Sequence, residues 1–198
     1  MQQRTDDLAS IKLDARRSLR IVAGIVAAFW VVAVVNVAFF GGSLLRFGVR
    51  PRTAHGLIGI PVHPFLHVGL AHLFLNSIGF LLLGGLVILR DERDFWIATA
   101  LGTLVGGLGV WLFGRPLVHV GASGLIFAYF GYLVATGWYD RRVGAILLSL
   151  VVFLIWGSVL VGVLPTQASV SWEVHLFGLV GGIITAWLRV RTRASRAA

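Results

Sequence analysis

The feature that most constrains this chain is a series of long apolar blocks, the first of which, residues 21–40, carries no charged side chain. A helix needs about 20 predominantly apolar residues to cross the hydrocarbon core of a bilayer, so this block is long enough to span. Five more follow, at residues 67–89, 95–113, 118–138, 143–164 and 172–188. A soluble domain carries about 25% charged residues; here 13% are charged, 58% are hydrophobic and the mean hydropathy is +0.90. A protein of this composition could not cover its surface with polar groups, so the bilayer must be its solvent. The blocks predict an all-α polytopic membrane protein with six transmembrane helices. A basic tail is expected over residues 1–20, the bundle over 21–188, and a second basic tail over 189–198, leaving no room for a separate soluble domain.

The first block follows Arg4, Lys12, Arg16, Arg17 and Arg20, a pattern superficially like a secretory signal. Its length exceeds the roughly 7 to 15 residues of a signal core and no small-x-small site follows, so an uncleaved anchor helix is expected. A polar loop with Gly, Pro and Arg then runs from 41 to about 64. With the N-terminus inside, the cytoplasmic segments hold the tail cations, Arg90, Arg93, Arg141, Arg142, Arg189, Arg191, Arg193 and Arg196. The outer loops hold only Arg46, Arg50, Arg52 and Arg115. Basic residues are retained on the cytoplasmic side, so both termini are expected there.

The net charge of +9 and pI near 11.5 do not indicate nucleic-acid binding, because the cations sit between the apolar blocks and at the two ends. The absence of Cys excludes disulfides, thiolate metal sites and a cysteine nucleophile. It says nothing about redox compartment.

Polar side chains inside a span are costly and tend to mark function or an interhelical contact. The second block contains His72 and Asn76, four residues apart and so on one helical face, with Gly79 continuing that face. The fourth contains Gly121-Ala122-Ser123-Gly124. The sixth opens with Trp172, Glu173 and His175, followed by Gly178, Gly181 and Gly182. Blocks two, four and six all run from outside to inside in the expected topology. Each of the three clusters therefore lies near the outer face, at one depth, and together they argue for one site.

Ser, two His and Asn at one level have a chemical reading. A serine hydroxyl needs a base to take its proton during attack, and His175 is the candidate base. The tetrahedral oxyanion needs donors aimed at it, which Asn76, His72 and the Ser123 amide can supply. No buried Asp is left to orient the imidazole, so the arrangement is a dyad rather than a triad; Glu173 lies on a different helical face from His175. Gly124, Ala128, Gly131 and Ala135 form a small-residue stripe in block four and Gly178 and Gly182 a GxxxG in block six, which let helix backbones approach closely.

Each cluster also has a plainer reading. A membrane His or Asn taken singly is often an interhelical hydrogen-bond partner. The G-x-S-G run fits the nucleophile-elbow pattern incompletely, with Leu125 at the last Gly position, and the block-six glycines alone read as packing. His63, His67 and His72 could hold a metal, but Pro64 disfavours the helical geometry that spacing would use, and no metal is expected. His55 and His119 read as loop residues.

The three clusters, in this order, resemble the rhomboid family of intramembrane serine proteases. The match consists of His67-Val68-Gly69-Leu70-Ala71-His72-Leu73-Phe74-Leu75-Asn76, then Gly121-Ala122-Ser123-Gly124, then His175 followed by Gly178 and Gly182, and covers roughly residues 64–187. The resemblance implies Ser123 as nucleophile, His175 as general base, and His72 and Asn76 as oxyanion side chains. The implied reaction is peptide hydrolysis in or beside a substrate's transmembrane segment, in a fold whose fourth helix starts deep at the base of a water-filled cavity. Two departures stand out. Phe127 occupies the position where the family often has a Tyr stacked on the catalytic His, and the first outer loop has Arg46, Arg50 and Arg52 without the family's Trp-Arg pair.

The resulting expectation is an integral protein of a bacterial inner or plasma membrane, with its site toward the outer face, no cofactor, and transmembrane proteins as substrates. Helix-breaking Gly or Pro in the client would help, because cleavage within the membrane requires a non-helical stretch. The competing classes are a non-cleaving rhomboid-like binder of transmembrane clients, which loss of Ser123 or His175 would have marked, and a small transporter, for which charges inside the spans would be expected. Neither substrate identity nor oligomeric state is written in a readable pattern.

Overall fold

The computed structural model describes the backbone of residues 2–166 and 170–197 and the side chains of residues 13–166 and 170–192. Helix α1 (Gln2–Phe40) carries the first apolar block backwards through the basic segment, residues 2–20 included. The side chains of Arg4 and Lys12 lie outside the described residues. The helix ends at Gly41 and Gly42, whose φ values of 55° and 86° suit a residue without Cβ. Asn36 closes the turn, its Oδ1 accepting from the Leu44 amide at 2.9 Å and its carbonyl from the Gly42 amide at 2.9 Å.

The segment read as a polar loop is largely helical. A 3-10 turn (Ser43–Phe47) precedes α2 (Ala54–Val62), and a second 3-10 turn (His63–Phe65) follows it. Thr53 caps α2 by accepting from the Gly56 amide at 3.0 Å, satisfying one of the donors that have no partner within a helix. His55, expected in a loop, sits in the first turn of α2, its ring 5.5 Å from that of Phe47. Gly59 lets α2 lie directly on the Gly48 carbonyl, and Ile60 fills the space left open by Gly107.

The second apolar block is a rod made of α3 (Gly69–Gly79), a π turn (Phe80–Gly84) and α4 (Gly85–Arg90). Helix α5 (Glu92–Phe113) is capped by Asp91, which accepts from the Asp94 amide at 3.1 Å. Then come α6 (Ser123–Asp140), α7 (Val143–Trp156) extended by a 3-10 segment (Gly157–Val163), and α8 (Trp172–Ala197). Among the described residues there is no strand, only one isolated bridge between Val49 and His119.

Five of these helical segments are long and apolar enough to cross a membrane: Leu13–Phe40, Gly69–Arg90, Glu92–Phe113, Val143–Val163 and Trp172–Thr192. The fourth apolar block, read as a sixth span, differs. Its helix begins at Ser123 rather than Val118 and is enclosed by its neighbours, every residue from Gly124 to Leu133 being buried. A helix wrapped by protein need not be apolar all round. Here it carries Tyr129, whose hydroxyl meets Thr99 Oγ1 at 2.8 Å, and Tyr132, whose hydroxyl donates to Asp94.

The core gathers around that helix. Phe80 meets Phe29 and Tyr129 edge-on at 5.2 and 5.4 Å, while Phe95 stacks on Tyr129 at 5.4 Å. At one end of the bundle Asp94 is buried and accepts from both Tyr132 and Arg189, with Asp91 3.6 Å from Arg189. Arg189, the first residue of the segment read as a basic tail, is thus pinned against Asp94, because a buried carboxylate is stable only when paired. Helix α8 continues to Ala197. Helix α7 is peripheral, with only Ala145 and Val152 buried.

Candidate active site

Ser123 is the first residue of α6, preceded by a strap of residues 114–122 that fixes its height. The His119 amide and carbonyl pair with Val49 at 2.9 and 3.0 Å, the Gly121 amide donates to the His63 carbonyl at 2.8 Å, and the Ala122 amide points at His67 Nε2 at 3.4 Å. Gly121 turns the chain into the helix at φ 116°. A Cβ there would lie 2.6 and 2.7 Å from His72 Cε1 and Nε2 and 3.3 Å from Asn76 Nδ2. Gly121 therefore lets the backbone press against both side chains, two residues before Ser123.

His175 reaches this point because α6 and α8 pack backbone to backbone. A Cβ on Gly178 would strike the Gly124 carbonyl, one on Gly182 the Ala128 carbonyl, and one on Gly131 would lie 2.6 Å from the Leu179 carbonyl. Three of the four members of the block-four stripe face the block-six glycines or their neighbour as expected, with Ala135 further along and only partly buried. This approach leaves Ser123 Oγ 2.9 Å from His175 Nε2.

The other side of the imidazole settles its tautomer. Nδ1 lies 2.8 Å from the Gly162 carbonyl, and a carbonyl can only accept, so in the neutral ring Nδ1 carries the hydrogen and Nε2 offers a lone pair to the serine hydroxyl. Phe127, one turn after Ser123, stacks on the ring with centroids 4.3 Å apart and planes 8° from parallel. The aromatic face is kept without a hydroxyl. Gly162 was invisible to sequence reasoning, since a backbone acceptor in a 3-10 segment leaves no mark in the side-chain pattern.

Asn76 is buried and its Nδ2 has no protein partner; His72 is half-buried beside it. A buried donor left without a partner is uncommon, and here it faces the turn that leads into Ser123. His67 sits behind, edge-on to His72 at 5.2 Å and against Phe29 at 5.3 Å. His63 is buried with Nδ1 2.7 Å from the Ile60 carbonyl, and burial pushes its imidazole down to about 4. Among the described residues no three of these histidines come together in a group that could hold a metal ion.

Glu173 turns away from His175. Its carboxylate accepts from the Arg115 amide at 3.1 Å, from Nε at 2.7 Å and from Nη2 at 3.1 Å, while Nη2 also donates to the Val170 carbonyl at 2.7 Å. The hydrogen bonds to Glu173 raise the Arg115 guanidinium above its ordinary value. His119 lies in a loop as expected but is buried, its Nδ1 2.5 Å from Ser171 Oγ and its Nε2 3.0 Å from the Arg115 carbonyl; burial lowers its imidazole. Sequence reasoning did not connect Arg115, His119, Ser171 and Glu173, which lie far apart in the chain. Between α1 and α2 Arg46 covers the Phe47 ring at 5.0 Å and Arg52 donates to the carbonyls of Leu112 and Gly114, both at 3.1 Å.

Comparison with known proteins points the same way as the motifs. Residues 54–192 match the Rhomboid domain. A Mycobacterium tuberculosis protein named only as uncharacterized is 37% identical over 172 residues, covering 82% of this chain and 71% of its own. The Bacillus subtilis protein YdcA, provisionally named a rhomboid protease, is 32% identical over 135 residues, or 66% of each chain. RHOMBOID-like protein 1 of Arabidopsis thaliana is 28% identical over 134 residues, 63% of this chain and 32% of that one. With more than half its length matched to the domain, this chain belongs to the rhomboid family.

Proposed function

We propose that the protein is an intramembrane serine endopeptidase that hydrolyses peptide bonds in or near the transmembrane segments of membrane-protein substrates. The observation that carries this reading is the 2.9 Å contact between Ser123 Oγ and His175 Nε2, with Nδ1 committed to the Gly162 carbonyl. Ser123 Oγ attacks the substrate carbonyl carbon as its proton passes to Nε2. The tetrahedral oxyanion is held by Asn76 Nδ2, His72 and the Ser123 amide at the start of α6, where helix amides lack intrahelical acceptors. Collapse breaks the C–N bond and His175 returns the proton to the leaving amine. Water then attacks the acyl-enzyme by the same steps in reverse, with His175 again as base, and frees the new carboxyl group.

Gly121, Gly124, Gly178 and Gly182 support the site by close approach, and Phe127 fixes the plane of the imidazole. The chemistry needs no cofactor. The protein sits in a bacterial inner membrane with both termini cytoplasmic and the dyad toward the outer face, as the distribution of cations favours. The test is cleavage in proteoliposomes of a single-span substrate with a Gly-Pro break near its outer end. Wild type should yield two fragments, and Ser123→Ala and His175→Ala none; an intact, stably bound substrate in all three would instead identify a non-cleaving client binder.

A further inference from the structure

We propose that the Arg115–Glu173 ion pair is a positioning clasp for the proposed dyad, tying the strap that ends at Ser123 to the turn of α8 that carries His175. This rests on the serine protease reading above.

The geometry is specific. Glu173 lies two residues before His175, is only 1% exposed, and takes three hydrogen bonds from Arg115, one of them from the backbone amide. Arg115 in turn holds the Val170 carbonyl, and its own carbonyl meets His119, which meets Ser171. Thus both ends of the 115–119 segment are fastened to residues 170–173, just ahead of His175. The same segment is fastened to Val49, and its continuation to His63. The strap therefore has one side fixed to the front of the bundle and the other to the start of α8.

The ion pair's consequence for the dyad is one of distance. Ser123 and His175 stand on different helices, and among the described residues the strap is one of the links that set their separation at this end. A hydrogen bond of 2.9 Å is lost with a displacement of about 1 Å, which in an active site costs on the order of a hundredfold in rate. Removing Arg115 takes the counter-charge from the Glu173 carboxylate, which then either takes up a proton or shifts toward water, and either way the three hydrogen bonds that tie the strap to this turn are gone. That turn carries His175. Arg115 and Glu173 act on the dyad through the strap and the turn, not on the reacting atoms.

The experiment measures the rate of covalent modification of Ser123 by a fluorophosphonate in the full-length protein, separated into the limiting rate and the half-saturating probe concentration. Thermal unfolding is measured in the same detergent. Arg115→Ala and the milder Glu173→Gln should lower the limiting rate tenfold or more with little change in half-saturation. The double variant should lose no more than the worse single one, because the two act as one unit. Tyr132→Phe, which removes a hydrogen bond to Asp94 from a position half-way along α6, serves as the control for stability alone and should label at the wild-type rate. Folded Arg115→Ala and Glu173→Gln labelling as fast as wild type would overturn the clasp, as would a Tyr132→Phe rate reduced in the same proportion to its loss of stability. A wild-type protein that fails to label at Ser123 would instead remove the dyad reading beneath it.

Discussion

At the scale of single residues, the chain announces the side chains of the proposed site and hides what orients them. Ser123, His175, His72 and Asn76 are readable because polar groups stand out in apolar blocks and fall at helical spacing. Gly162 is not, because any residue presents a carbonyl, and only the 3-10 turn after α7 aims this one at Nδ1. Three outcomes follow. Asn76→Ala should lower kcat by about a hundredfold or more with a small change in KM, since an oxyanion donor acts mainly in the transition state; steady-state kinetics on the single-span substrate will separate the two. Phe127→Tyr should keep near wild-type turnover, whereas Phe127→Ala should lose about tenfold because the ring that holds the imidazole plane is gone. Protein stability should fall as pH drops from about 6.5 toward 4. His63 is depressed to about 4 in the fold, so protons bind the unfolded chain first and its contribution, present above the unfolded value, is lost on acidification. A melting curve series against pH checks this, and His63→Gln should make the fall shallower, with His119 still depressed by burial.

At the scale of elements, periodicity and length located the apolar helices but not where two of them begin. Helix α6 starts at Ser123 because residues 114–122 are held in a non-helical course by Val49, His63 and Glu173, a tertiary constraint that leaves Val118 and Val120 as apolar as any helical residue. Helix α2 was missed for the opposite reason. Its length falls well short of a span, and its Thr53 cap and apolar run were absorbed into a Gly- and Pro-rich loop. The GxxxG pattern did carry through: Gly178 and Gly182 meet Gly124 and Ala128. Gly182→Ala should therefore destabilise the protein by about 1–3 kcal/mol and slow labelling of Ser123 by opening α6 from α8, both measurable on one purified sample. Gly144→Ala, where nothing lies within 4 Å of the added methyl, should do neither.

At the scale of the whole molecule, the bilayer decides the architecture. Composition made a helical membrane protein unavoidable, yet the count of spans depends on burial, which composition does not report. Helix α6 sits inside a ring of neighbours and carries Tyr129, Tyr132 and Thr136 where a lipid-facing helix would carry aliphatics. Arg189 likewise reads as tail in sequence but belongs to the bundle through Asp94. Because the chain has no cysteine, its orientation can be tested with single replacements at exposed positions. Thr166→Cys should react with an impermeant maleimide in intact cells, while Arg142→Cys should react only after the membrane is opened. The reverse pattern would invert the topology and put the site on the cytoplasmic side.

The central claim, an activated serine at Ser123, is tested most directly by fluorophosphonate labelling of the purified protein, with the modified residue identified by peptide mass. Wild type should carry one adduct on Ser123 and Ser123→Ala or His175→Ala none, with all three equally folded by thermal melting. Folded wild type without an adduct across several lipid conditions, or an adduct that persists in His175→Ala, would contradict it.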